Sequence, residues 1–160
     1  MMNEDVLSYA LLYHDKGLAV FPLRPRGKEP YAKLLGDRGY TRDDGVGSQK
    51  PIYDGKFPTK EDVEYWFKGK DVNIAIACGK VSGNLVVLDF DSTEVFEEWY
   101  RKIDNEYPEL RDLVLNTWLV ETGKGIHVYL RLKDPSLVPS TKPKVEGKPI
   151  DIKGEGGYVV

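Results

Sequence analysis

Leu85-Val86-Val87-Leu88-Asp89-Phe90-Asp91-Ser92-Thr93 is the stretch whose reading decides the fold. Four aliphatic residues in succession, two of them β-branched, predict a strand buried on both faces. At its end two aspartates alternate with a phenylalanine. Side chains two apart on a strand share a face, so Asp89 and Asp91 are expected to present neighbouring carboxylates. Carboxylates that close repel unless a positive group lies between them, and a hard divalent cation with oxygen ligands is the usual one. The alternative at this point is a pair of solvated loop residues.

The bulk properties narrow the classes. A chain of 160 residues fits one domain. With 41% hydrophobic and 31% charged residues it lies in the globular range. No apolar run is long enough to span a membrane, and Met1-Met2-Asn3-Glu4-Asp5 lacks the basic and apolar regions of a secretory signal. Cys78 is the only cysteine, which excludes an intrachain disulfide and a multi-cysteine zinc site. A cytoplasmic location is expected. A net charge of −3 argues against coating nucleic acid by bulk charge. Between Lys124 and Lys153, however, seven basic residues face three acidic ones, so a polyanion could be met there.

Outward from the opening strand, both flanks are punctuated. Residues 4–16 carry the spacing of an amphipathic helix, with Gly17 after it. His14 near its end suits the helix dipole. Leu18-Ala19-Val20-Phe21 predicts a short strand stopped by Pro22. Residues 23–57 are rich in Pro, Gly and charge and predict a long loop, in which Arg24, Arg26 and Lys28 could reach phosphates. Thr59-Lys60-Glu61-Asp62 predicts a capping box at the start of a helix. Asn73 to Cys78 predicts a strand, so that residues 73–89 resemble a hairpin feeding the carboxylates.

After Asp91 a helix is expected from Ser92 to Asn105, with its aromatics in the core. Leu115–Val120 and Ile126–Leu130 then predict two strands. Glu121-Thr122-Gly123-Lys124-Gly125 would join them in a tight turn with positive φ angles. Its N–H groups, hydroxyl and lysine could cradle phosphate oxygens. His127 faces away from Val128. Further on, Ile150-Asp151-Ile152-Lys153 repeats the pattern of a carboxylate between apolar residues, with Asp151 and Lys153 on one face. Tyr158-Val159-Val160 reads as the start of a strand, from which the domain is expected to continue.

Three pieces therefore stand in order: Asp89-Phe90-Asp91, Thr122-Gly123-Lys124-Gly125-Ile126-His127-Val128-Tyr129, and Ile150-Asp151-Ile152-Lys153. That succession resembles the archaeo-eukaryotic primase superfamily, and most closely the bifunctional primase-polymerase domains of archaeal plasmids and mobile elements. Gly17–Leu23, Gly27-Lys28-Glu29-Pro30, Asn73–Gly79 and Gly156–Val160 fit the same frame. The resemblance implies one primase-polymerase catalytic domain over residues 1–160. Its fold would be α+β, a mixed or antiparallel sheet with an RNA-recognition-like core and an N-terminal αβ unit. It further implies that Asp89, Asp91 and Asp151 hold Mg²⁺ or Mn²⁺. His127 would contact the triphosphate of an NTP or dNTP, beside Thr122, Gly123, Lys124 and Gly125. Lys153 and Lys28 are candidates to neutralise charge there. The implied partners are a single-stranded DNA template and primer, with a helicase or other replication proteins, and no membrane. Thr122 stands where the family often has serine, and retains the hydroxyl.

Two rivals use the same residues. Asp89-Phe90-Asp91-Ser92-Thr93 also fits the Asp-x-Asp-x-Thr signature of haloacid-dehalogenase-like phosphatases, with Asp89 as nucleophile. That family places the motif near its N-terminus and needs a downstream acidic pair, whereas Asp151 has no neighbouring acid. A non-catalytic nucleotide or nucleic-acid binding module is the other.

Overall fold

The computed structural model describes residues 2–141 and 149–160, without the side chains of residues 2–5. Lys142, Lys144 and Lys148, part of the basic excess noted above, lie outside the described residues. Helix α1 (Met2–Asp15) packs Ala10, with Leu7, Leu11 and Tyr13, on the larger of two cores. His14 near its end contacts the Pro58 carbonyl at 2.8 Å, which is a structural role.

Strand β1 (Ala19–Leu23) is buried throughout and runs through Pro22 rather than stopping there. It is the edge of its sheet, where a missing N–H breaks no ladder. The expected loop over residues 23–57 is more ordered than its composition suggests. It contains α2 (Ala32–Asp37) and α3 (Lys50–Tyr53), and it buries Leu34, Leu35, Tyr40 and Ile52. Each piece is too short to show a period, yet each drops one or two large side chains into the same core.

Helix α4 (Lys60–Phe67) begins with both arms of the expected capping box, Thr59 and Asp62 each accepting from the other's N–H. Its Val63, Trp66 and Phe67 are fully buried. Asp62 also accepts from Tyr40 and, at 2.8 Å, from Arg38 Nε. Burial alone would raise the Asp62 pKa. The hydrogen bonds from Tyr40, Arg38 and Thr59 outweigh it and hold the carboxyl below its usual range. A carboxylate with a depressed folded pKa contributes stability above its unfolded value, about 4, and loses it as pH falls. Asp62→Asn should therefore lower the melting temperature at pH 7, and its gap from wild type should narrow in melts at pH 3. An equal gap at both would argue against a charge-based contribution.

Strand β2 (Asn73–Ala77) pairs with β1, and it continues into a 3-10 turn at Lys80–Ser82 before β3 (Leu85–Phe90). The hairpin expected over residues 73–89 does not form. β2 and β3 belong to different sheets, and an isolated bridge links Gly79, just past β2, to Leu85 at the start of β3. Gly79 (φ +94°), Gly83 (φ +71°) and Asn84 (φ +65°) turn the chain off the first sheet. Ser82 Oγ pins the corner, accepting from Ala19 N–H at 2.9 Å and donating to the Ala77 carbonyl.

Helix α5 (Thr93–Glu106) follows, with Ser92, expected as its first residue, standing just outside as its N-cap, and then α6 (Pro108–Leu115). Pro108 opens α6 in its first turn, where a missing N–H is harmless. The predicted strand over Leu115–Val120 is thus cut back to β4 (Leu119–Glu121). β5 (Ile126–Arg131), β6 (Ile150–Lys153) and β7 (Tyr158–Val159) complete the strands.

The first sheet has the order β1-β2-β7, and the second β4-β5-β3-β6. Every strand pairing in both is antiparallel. Renumbered from β3, the second sheet runs 2-3-1-4, the split βαβ order of an RNA-recognition-like unit. The fold is α+β. Phe90, Leu88, Val128, Ile126 and Ile150 turn one face of this sheet toward α5 and α6. On the other face Leu85, Val87 and Tyr129 join the larger core. That second face is apolar at one end and polar at the other. Among the described residues no helix is long and apolar enough to cross a membrane.

Candidate active site

The register of the second sheet assembles the site. Asp89 on β3 lies opposite His127 on β5 and, across its other edge, opposite Asp151 on β6. Val120 on β4 lies opposite His127. One row across four strands therefore reads Val120, His127, Asp89, Asp151, all on the face away from α5 and α6. The next row on that face places Tyr129, Val87 and Lys153 side by side. Residues separated by tens of positions meet because antiparallel pairing sets them opposite one another.

His127 Nε2 stands 3.3 Å from Asp89 Oδ1, and Lys153 Nζ stands 2.9 Å from Asp151 Oδ2. The His127 and Asp151 side chains are only 11% and 13% exposed, so both groups are largely out of water. Even so, His127 Nδ1 and Asp151 Oδ2 have no hydrogen-bond partner. The Lys153 contact is an ion pair outside hydrogen-bond alignment. Buried polar atoms left unsatisfied are costly and uncommon, which makes these two candidates to meet a ligand.

Asp91 sits one residue past β3, exposed, in the turn to α5. Its N–H donates to the Pro149 carbonyl at 2.9 Å, which ties the start of β6 to the end of β3. The glycine-rich turn lies against this same corner. A Cβ on Gly125 would fall 1.9 Å from the Phe90 carbonyl oxygen and 2.9 Å from the Asp91 carbonyl carbon. Glycine is required there by close approach. The positive φ angles expected in this turn do not occur at Gly123 or Gly125. The Thr122 hydroxyl, expected to face phosphate, accepts from Gly125 N–H at 2.9 Å, and Thr122 N–H donates to the Gly125 carbonyl. That leaves Gly123 and Lys124 exposed at the tip.

Lys28 is exposed, and its carbonyl accepts from the Tyr158 hydroxyl at 2.6 Å. Burial raises the Tyr158 pKa, with Lys153 acting against it, so Tyr158 lies within electrostatic reach of both the Lys28 loop and the lysine beside Asp151. The structure thus gathers Asp89, His127, Asp151 and Lys153, sets Asp91 and the Thr122–Gly125 turn at one end, and ties the Lys28 backbone to the flank. Tyr129 was missed from sequence. It stands two residues beyond His127 on the same face, its ring 6.4 Å away, and that spacing was the available signal.

Among the described residues no three His, Cys, Asp or Glu side chains form a ready-made cage for a metal ion. The donors nearest to one are Asp89 and Asp151, in register, with Asp91 just beyond. An all-carboxylate set has the chemistry of a hard cation such as Mg²⁺ or Mn²⁺, and those three residues could hold one.

Fold and row together define an α+β protein with an RNA-recognition-like sheet whose face away from α5 and α6 carries two carboxylates, a histidine and a lysine. The family model of the bifunctional DNA primase/polymerase N-terminal domain (Prim-Pol) matches residues 10–160, and the chain belongs to that family. The matched span runs from within α1 through β7. No curated protein sequence matches the chain.

Proposed function

We propose that this chain catalyses template-directed nucleotidyl transfer as the catalytic domain of a plasmid- or mobile-element-type DNA primase/polymerase. The observation that supports this best is the row His127–Asp89–Asp151, inside a chain whose family membership points to primase/polymerase activity. Asp89, Asp91 and Asp151 are the residues that would hold Mg²⁺ or Mn²⁺. Such ions, when bound, supply activation of an attacking 3′-hydroxyl and stabilisation of a leaving pyrophosphate. His127, oriented by Asp89, has an unpartnered Nδ1 with which to meet a triphosphate oxygen. Lys153 keeps the Asp151 charge balanced. Gly123 and Lys124 at the turn tip, and the Lys28 loop on the flank, offer N–H groups and positive charge to the phosphates. The substrates are an NTP or dNTP and a single-stranded DNA template with primer, in the cytoplasm, with a helicase or other replication protein as partner. A phosphatase with Asp89 as nucleophile is not favoured, because Asp89 is hemmed within the ladder between His127 and Asp151.

The test is template-dependent synthesis with and without primer, in Mg²⁺ or Mn²⁺. His127→Ala should raise the nucleotide KM by about 10- to 100-fold, the loss of one hydrogen bond to a charged group. Undiminished products would remove His127 from the site. Phosphate release without primer extension would restore the phosphatase reading, and template binding with no synthesis by wild type would leave a binding module.

A further inference from the structure

Trp118 is an exposed aromatic that the site does not use. It stands between α6 and β4 with 37% of its surface in water, unusual for the largest side chain. Tyr13 and Tyr129 each make a T-shaped contact with its ring, centroids 6.0 Å apart, which fixes its plane. Lys16 Nζ lies 5.4 Å from the ring centroid. Arg131 Nη2 donates to the Lys16 carbonyl at 2.7 Å, so a second cation is held on the same rim. Lys16, Trp118, Tyr129 and Arg131 line a cavity of about 400 Å³ together with Leu18 and Leu85. None of its lining residues is acidic, although the chain as a whole carries a net charge of −3.

The cavity is separate from the polar row but shares strands β3 and β5 with it. Leu85 lies four residues before Asp89 on β3, about 13 Å along the strand. The rings of Trp118, Tyr129 and His127 follow one another along the same sheet face. A fixed aromatic plane flanked by cations, leading toward a phosphate-handling site, matches how single strands are held. Bases stack on the ring whatever their identity, and lysine or arginine takes the backbone phosphates. An acidic peptide would use the cations but leave the ring idle.

We propose that the Trp118 cavity is a single-stranded DNA subsite, with a base stacked on Trp118 and its phosphate between Lys16 and Arg131, several nucleotides from the reacting end. This rests on the nucleotidyl-transfer reading above. Lys16 gives up its contact with the ring when a base takes that place and turns to the phosphate instead. The subsite is independent of base identity and of metal.

The experiment is anisotropy of a fluorescein-labelled oligo(dT) of about 12 nucleotides, titrated with the full chain in chelator at several salt concentrations. Trp118→Ala should weaken binding by about 10-fold or more, and Trp118→Phe should recover most of it. Lys16→Ala should reduce the slope of log affinity against log salt by about one. Melting temperatures report folding of each variant, and Lys16→Ala, at an exposed position, carries the test if Trp118→Ala unfolds. Wild-type affinity in both alanine variants would overturn the subsite. Displacement of the oligonucleotide by dTTP alone, with the same dependence on Trp118, would make it a mononucleotide pocket and overturn it equally. Trp118-dependent binding by a wild-type chain that performs no synthesis would uphold the subsite while rejecting the catalytic reading.

Discussion

Asp89→Asn should reduce template-directed synthesis by on the order of 10³-fold, the upper range for removing one preorganised charge-stabilising group. The protein should stay folded. Asp89 lies directly opposite Asp151, and like charges opposite each other in a sheet are destabilising by roughly 0.2–1 kcal/mol. Removing one charge relieves that repulsion, while the amide keeps the shape and a partner for His127 Nε2. The melting temperature is therefore expected to hold or rise as activity disappears. That opposite movement separates a functional carboxylate from a structural one. A variant that loses activity and stability together would place Asp89 among structural residues, and one that keeps synthesis would remove it from the site.

Gly125→Ala should damage both the fold and the site, through backbone contact rather than charge. The added methyl would sit 1.9 Å from the Phe90 carbonyl oxygen, a backbone atom that cannot swing aside. The turn must lift off the β3 end by about an ångström, and a displacement of that size in a site can cost about 10²-fold in rate. Overpacking of this kind destabilises by about 1–3 kcal/mol, which lowers the melting temperature by roughly 2–4 °C per kcal/mol in a chain this long. Gly123→Ala is the matched control, because a Cβ there meets nothing within 4 Å. Synthesis rates and thermal melts of the pair decide the matter. Equal behaviour would mean that the turn does not position the corner holding Asp91.

Much of this was legible in the residues because each signal was local. The aliphatic run of β3, the box at Thr59 and Asp62, the helix after Asp91, and the face shared by Asp151 and Lys153 each depend on neighbours a few positions apart. So did the order of the three motifs, which pointed to the family that the match over residues 10–160 then showed. What misled was also local. Residues 73–89 look like two strands of one hairpin, but the left-handed turns at Gly79, Gly83 and Asn84 send them to separate sheets. Leu115 to Trp118 has strand composition, yet Pro108 starts a helix that claims Leu115.

By itself, then, the sequence determined which side chains are candidates for the chemistry and that the fold mixes helices with a buried central strand. Short-range periodicity and residue type are sufficient for that. Only the tertiary structure decided that Asp89 stands between His127 and Asp151, that Gly125 is a contact rather than a left-handed turn, and that Trp118 stays in water beside two cations. Those are facts of register and close approach between segments distant in the chain, which antiparallel pairing sets and no local pattern encodes.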